Sequence, residues 1–416
     1  MGLLRLDRTR LAAGAAVALA LMLMLRAAFP MEAGLDYFAD ASSAIDALAR
    51  GDVADFLDQR ALMGSFSLLL RAPFVALVFD QSLNVVYFAG VLPCLAAVVA
   101  LAGALRRRMT ALGRPAAAVT LVTVVALLNP GVFRSIHWGH PEELLAGALC
   151  AGAVLAAARG RSPLAGLLLG LAVATKQWAL LAVIPTLLAA PERRVVLALV
   201  AGALALALAL PTMAAAPRTF VAVQKEAAQA GGPIGPANVW WPISSPRTAA
   251  ERAAGSPGFA YEIPARLAAL THPLIVLAAL PLGWLFWRRR ARLAPEDALG
   301  LLALLLLLRC LLDPWNNDYY HAPFLLALLG WEAVARSGWP RLTLLASVAL
   351  ALTFPAAAVT FTELSAGGAL LGVTYLAWAV PLAGWLALEV YAPATRDAIV
   401  ARVRSRAAAQ PSAARA

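Results

Sequence analysis

A chain of 416 residues with 62% hydrophobic and 14% charged positions and a mean hydropathy of +0.77 has more apolar surface than a soluble fold of its size can bury. The formal charge of +11 would suit a nucleic-acid partner, but the arginines stand in short clusters between apolar runs, the pattern of basic inner loops in a membrane protein. Long continuous runs rather than short alternating ones exclude a β-barrel and predict an all-α, polytopic transmembrane helical bundle.

Candidate spans fall at 11–29, 82–105, 115–130, 142–158, 163–175, 177–190, 195–212, 271–287, 297–313, 321–335, 341–358 and 367–391, about twelve in all. The run Leu11 to Phe29 is long for the core of a signal peptide and lacks a small-residue cleavage pattern, so it reads as the first span. Residues 1–395 read as one transmembrane domain, and 396–416 as a loose, basic cytoplasmic tail. Cys94, Cys150 and Cys310 all lie within apolar runs, with no disulfide or metal spacing among them.

Arginine fixes the orientation. With Arg5, Arg8 and Arg10 in the cytoplasm and one crossing per span, the clusters Arg106–Arg108 with Arg114, Arg159 with Arg161, Arg193–Arg194, Arg288–Arg292, Arg336 with Arg341 and Arg396–Arg406 all fall inside. Both termini of a cell-membrane protein are then cytoplasmic. The outer face receives 30–81, 131–141, Lys176, 213–270, 314–320 and 359–366. Acids, imidazoles and a lysine from distant parts of the chain thus gather at one face.

The first outer loop contains Glu32, Asp36, Asp40, Asp46, Asp52, Asp55 and Asp58. Asp36 follows the first span at once, in Gly34-Leu35-Asp36-Tyr37-Phe38, where a partly desolvated carboxylate could take the proton of an attacking hydroxyl. The plain alternative is a solvated loop acid. Asp40 lies one turn further along the same face and could assist or replace it. Residues 63–79, apolar but interrupted by Ser65, Ser67, Arg71 and Pro73, predict an interfacial helix on the outer leaflet.

His137, His140, Glu142 and Glu143 cluster where the fourth span opens, with Pro141 suited to its first turn. Capping explains acids there, yet charge so near the lipid boundary points to contacts with sugar or phosphate. The spacing of His137, His140 and Glu143 lacks the two-turn histidine pair of a metalloprotease, and no metal site is expected. Lysine occurs only at 176 and 225, and Lys176 joins two spans too short to cross alone. It is either a snorkelling cation or a point charge for a lipid phosphate, and the second is favoured. The large loop 213–270 carries Trp240 and Trp241, which would anchor it at the interface or stack on sugar. Asn317, Asp318, Tyr320 and His321 follow Pro314 and Trp315 in a patch whose planar polar and aromatic groups suit carbohydrate, with His321 placed to reach a donor phosphate.

These residues resemble the integral-membrane glycosyltransferases of the C superfamily. The layout is most similar to the polyprenyl-phosphate-mannose-dependent mannosyltransferases of family 87. The resemblance rests on Asp36-Tyr37 with small Ala41 and Ala44 downstream, on Gly139-His140-Pro141-Glu142, on Ala174-Thr175-Lys176-Gln177-Trp178-Ala179-Leu180-Leu181 without the family's proline at 179, and on Pro314 through His321. It implies an inverting transfer of a hexose, mannose above all, from a polyprenyl phosphate to a lipid or glycan acceptor. Asp36 would be the base, Lys176, His321 and His140 would face the donor phosphate, and no metal or other cofactor would be needed. A transporter or flippase of lipid-linked sugars is the alternative. It should show paired repeats and polar groups near the midplane, whereas here they gather at one face.

Overall fold

The computed structural model describes residues 35–59, 63–79, 82–228, 231–254, 259–360 and 364–392. The expected first span, residues 11–29, and the tail 396–416 lie outside them. Among the described residues four short helices come first: α1 (Leu35–Asp40), α2 (Ser42–Ala49), α3 (Val53–Asp58) and α4 (Ser65–Ala76). The long apolar runs then fold as α5 (Leu83–Ala111), α6 (Ala116–Leu128), α7 (Pro130–Trp138), α8 (Pro141–Ala158) and α9 (Ser162–Val173). A 3₁₀ turn (Gln177–Ala182) leads into α10 (Val183–Ala189), followed by α11 (Arg194–Ala215) and α12 (Pro217–Ala228). After a loop with α13 (Ala249–Ala254) come α14 (Ala265–Arg289), α15 (Ala298–Leu312), α16 (Ala322–Val334), α17 (Arg341–Thr360) and α18 (Leu364–Tyr391).

Among the described residues six helical runs are long and apolar enough to cross a membrane: Leu83–Ala111, Ala116–Trp138, Pro141–Ala158, Arg194–Ala215, Ala265–Arg292 and Gly368–Tyr391. Others of the expected spans are shorter apolar helices, such as Ser162–Val173 and Gln177–Ala189. An all-α polytopic membrane protein is the result. The helices divide by environment: 89% of the apolar window of α8 is buried, against 11% of that of α11. So α8 is the central helix, with α5, α9 and α16 packed around it. α11 faces outward, held to α9 where Gly166 and Gly170 admit its backbone; a Cβ on either would lie 2.6 Å from the Leu197 carbonyl oxygen or 2.7 Å from that of Ala201.

Two expectations need correction. Residues 131–141 were expected to form an outer loop, but Pro130–Trp138 is helical. Asn129-Pro130 breaks the ladder without ending the helical run. The Asn129 amide donates to the Val125 and Ala126 carbonyls at 3.1 and 3.2 Å, and its side-chain oxygen accepts from Val132 N–H at 3.2 Å, so both broken ends are satisfied. The stretch 63–79 is helical as expected, but α4 packs between α2 and α5 with Ser67, Leu68, Arg71, Ala72 and Val75 buried. Leu69, Phe74, Leu77 and Phe79 face outward.

The chain alternates between two polar ends. At one, Arg108 on α5 meets Glu296 at 2.6 Å, and Arg336 after α16 meets Asp297 at 3.0 Å. At the other, the segment after α11 folds over the end of α15. Three two-residue strands, β1 (Pro233–Ile234), β2 (Ser245–Pro246) and β3 (Tyr261–Glu262), pair in the order β1-β3-β2. The loop is sewn down by Gly235 N–H to the Pro314 carbonyl at 2.9 Å, Val239 N–H to Leu311 at 2.9 Å, and the Asn316 amide to Ala237 at 2.7 Å.

Candidate active site

The polar end nearer the start of α8 is built on one close approach. Gly139 ends α7 with φ +89°, a left-handed cap open to glycine. A Cβ there would lie 2.8 Å from the Tyr37 backbone nitrogen, so only glycine lets α1 rest on this corner. Tyr37 pins α1 from below. Its ring is buried, meets Tyr87 edge-on with centres 4.9 Å apart, and lies 5.0 Å below the Arg71 guanidinium. The Tyr87 hydroxyl donates to the Ile136 carbonyl at 2.6 Å, tying the stack to α7. Asp36, one residue before Tyr37, is thereby held beside His140.

From Asp36 a chain of charges runs inward. His140 Nε2 is 3.1 Å from Asp36 Oδ2, and its Nδ1 is 2.8 Å from Glu142 Oε1. Lys176 Nζ is 3.0 Å from that same Glu142 oxygen and 3.8 Å from Glu143 Oε1. Arg71 Nη1 stands 3.7 Å from Glu142 Oε2 while its Nε donates to the Gly90 carbonyl at 3.2 Å. Arg309 grips Glu143 with two nitrogens, at 3.1 and 3.3 Å, and Trp178 Nε1 donates to Glu143 Oε1 at 3.0 Å. The Arg309 guanidinium sits between the Trp178 and Tyr320 rings, 4.6 Å from each centre. Glu142 and Glu143 are fully or almost fully buried. Buried ions are tolerated only when each has opposite charge and hydrogen bonds around it, and here each glutamate has at least two cationic partners.

His140 is charged in this setting. Both ring nitrogens face carboxylate oxygens, so both must carry protons. Burial alone would lower its pKa, but Glu142 and the hydrogen bonds to Asp36 and Glu142 outweigh it and raise the value to about 9. The ring also stacks on Tyr319, centres 4.4 Å apart and planes 17° from parallel. Asp40 lies close enough for its carboxyl to feel this cluster: burial raises its pKa, and His140 and Lys176 oppose the rise.

Lys176 owes its place to Gly64. After α9 ends, the Ala174 and Thr175 carbonyls accept from Phe66 and Gly64 N–H, each at 3.1 Å. A Cβ on Gly64 would lie 2.2 Å from the Ala174 oxygen. The orphan carbonyls of a short helix end are thus satisfied inside the protein, which lets the chain turn and deliver the ammonium to Glu142.

Asp36, Asp40, His140, Glu142, Glu143 and Lys176 come together here, with the Tyr320 ring against Arg309. The 317–321 turn abuts the cluster through Tyr319 and Tyr320, but the His321 ring looks elsewhere. Its Nδ1 faces the Asn317 and Asp318 carbonyls, both at 3.2 Å, so it must donate. Its Nε2 then accepts from the Tyr375 hydroxyl at 3.0 Å. Phe354 and Trp378 complete an aromatic cage, and burial lowers the pKa to about 4. Both nitrogens are engaged, so the expectation that His321 reaches a donor phosphate gives way to a structural role.

Asp318 pairs with Arg134, whose guanidinium lies 5.6 Å from the Trp138 ring centre. Asn317 accepts from Asp318 N–H at 2.8 Å, and the His137 ring meets Trp138 edge-on at 5.9 Å. Trp240 Nε1 donates to the Leu312 carbonyl at 2.6 Å, and Trp241 packs against Gly372, where a Cβ would come within 2.5 Å of the indole. Both indoles therefore fasten the loop to α15 and α18.

Sequence reasoning passed over Arg71 and Arg309 as partners, as well as Trp178, Tyr319 and the contact between His272 and Asp313 at 3.6 Å. The rarity of charge within apolar runs was the available signal for the two arginines.

A bundle of apolar helices with a buried charged cluster flanked by aromatic rings at one end fits a membrane enzyme whose substrates carry lipid. The family model of glycosyltransferase family 87 matches residues 62–314, more than half of the chain and most of the charged cluster. The chain belongs to glycosyltransferase family 87 and is a membrane glycosyltransferase. No curated protein and no solved structure matches it.

Proposed function

We propose that the protein moves a hexose, mannose by resemblance, from a polyprenyl phosphate to a hydroxyl of a lipid or glycan acceptor, on the non-cytoplasmic face of the cell membrane. One observation carries the reading. Asp36 is 40% exposed, has one oxygen fixed by His140, and leaves Oδ1 without a partner among the described residues. A carboxylate held so, at the mouth of a buried charged cluster, is oriented to take a proton.

In the proposed step the acceptor oxygen attacks the anomeric carbon as the bond from that carbon to the phosphate oxygen breaks. The hydroxyl proton passes to Asp36 Oδ1, and polyprenyl phosphate leaves with its electron pair. A single displacement inverts the anomeric centre. Lys176 at the cluster, with Arg134 and His137 at the half-buried rim, would offset the charge on the departing phosphate. Imidazolium at His140 holds Asp36 in place by its contact with Oδ2 at 3.1 Å, leaving Oδ1 turned to the acceptor. Trp240 and Trp241, which fasten the loop, and Asn317 and Asp318, which brace the 317–321 turn, would support the wall of the site.

The test is transfer by purified protein from labelled polyprenyl-phosphate hexoses to a membrane lipid extract, with analysis of the product's anomeric configuration. Asp36→Asn should fold and lose activity by roughly 100- to 10,000-fold, the usual worth of a general base. Wild-type turnover by that variant would eliminate Asp36 as the base.

A further inference from the structure

At the end of the bundle away from the carboxylate cluster, arginines are of two kinds. Arg108 and Arg336 are neutralised by Glu296, Asp297 and Glu389, the last at 3.5 Å. Arg288 and Arg289 at the end of α14, and Arg290 and Arg292 in the 3₁₀ turn that follows, have no carboxylate partner among the described residues. Arg288, Arg289 and Arg292, with Leu285 and Ala291, line a cavity of about 370 Å³. The Arg288 and Arg290 guanidinium groups each stand 4.9 Å from an indole centre, Trp284 and Trp287 respectively. Those indoles are 52% and 45% exposed.

Leading away from the cavity, Leu270, Leu274, Leu277 and Trp284 form an exposed stripe along α14, at the spacing of one helix face. The negative end of a helix dipole and the positive-inside bias account for arginine at this level. Neither accounts for a cavity whose cations have no counter-ion among the described residues while their neighbours at the same end do.

We propose that this cavity binds the phosphate headgroup of an anionic membrane phospholipid, whose acyl chains lie along the exposed face of α14. Guanidinium forks match phosphate oxygens in pairs, and the Trp284 indole holds the Arg288 guanidinium of the cavity in place, while Trp287 holds that of Arg290 next to it. The site lies apart from the transfer chemistry, and its occupancy does not depend on which sugar is moved.

Native mass spectrometry of the full-length protein, with phosphatidylglycerol or phosphatidylcholine added, tests it. The wild type should retain phosphatidylglycerol in preference to phosphatidylcholine, and millimolar inorganic phosphate should not displace it. The double variant Arg288→Gln/Arg292→Gln should bind phosphatidylglycerol roughly thirty-fold more weakly. Arg106→Gln/Arg107→Gln, an equal charge change at the same end, should change binding less than three-fold, roughly, because those arginines lie outside the cavity. Trp284→Leu, which keeps every charge, should weaken binding by roughly three-fold through the lost contact with Arg288. Equal losses in the two double variants would show a diffuse basic surface and overturn the site. So would indifference to headgroup charge, or displacement by inorganic phosphate alone.

Discussion

His140 and His321 are both buried, both near the same polar end, and opposite in character. His140 lies between Asp36 and Glu142 and is held charged, its pKa raised to about 9 against the ordinary 6.5. His321 lies among two carbonyls, a phenol and aromatic rings and is held neutral, its pKa lowered to about 4. The same side chain thus serves as a cation at neutral pH in one place and as a neutral hydrogen-bonding post in the other. Hydrogen-bond partners decide which: carboxylates can only accept, while a tyrosine hydroxyl can donate to the free nitrogen. On this reading the 140–143 segment carries chemistry and the 317–321 turn carries support.

The largest test of that division, Asp36→Asn aside, is the glutamate beneath His140. Glu142→Ala leaves His140, Lys176 and Arg71 sharing a buried pocket with one anion fewer. Removing one partner of a buried ion cluster costs about 3–5 kcal/mol. The melting temperature in detergent should fall by many degrees, and denaturant melts would measure the loss. A near-wild-type melt would mean that water reaches the cluster and screens it.

Replacing His140 by Gln should act mainly on rate. Glutamine can still donate one hydrogen bond to Asp36 but brings no charge, so Asp36 loses its orienting cation and Glu142 one of its counter-ions. A transfer rate lower by roughly 10- to 100-fold, with protein yield retained, is expected. An unchanged rate would detach His140 from the reaction and leave Asp36 positioned by Tyr37 and Gly139 alone.

The pH dependence of stability should show the two imidazoles on opposite flanks. For His140 the folded value lies above 6.5, so its contribution is full below about 6.5 and is lost as pH rises through about 9. For His321 the folded value lies below 6.5, so its contribution is full above about 6.5 and is lost as pH falls towards 4. Melts across this range should be flattened on the alkaline side by His140→Gln and on the acid side by His321→Gln. A variant that flattens the wrong side would invert the assignment.

Much of this is legible in the sequence. The helices follow from the apolar runs, and Lys176 stood out because lysine is otherwise almost absent. The Asp36, His140, Glu142, Glu143 and Lys176 grouping was foreseen as a single face. What could not be read was who pairs with whom. Arg309 and Glu143 are 166 residues apart, and in the sequence Arg71 is only a break in an apolar stretch, whereas the packing of α4 against α5 buries it beside Glu142. Nor could sequence show where His321 points, since one 3₁₀ turn (Asp318–His321) sets that direction. The family match begins at residue 62, so Asp36 lies outside it, and the case for Asp36 rests on its contact with His140 inside it.

The smallest expected change is therefore the most discriminating. His321→Gln should leave transfer within a few-fold of wild type, because neither ring nitrogen is free for substrate. Stability should fall by about 1–3 kcal/mol, the cost of loosening hydrogen bonds among buried groups. The Tyr375 hydroxyl loses its acceptor unless the new amide oxygen can reach it. Tyr375→Phe removes the other half of that bond and should cost less, since it leaves only the imidazole nitrogen unpaired. If His321→Gln instead abolished transfer while its melt stayed put, the cage around His321 would have to open during the reaction, and the two histidines would share the chemistry after all.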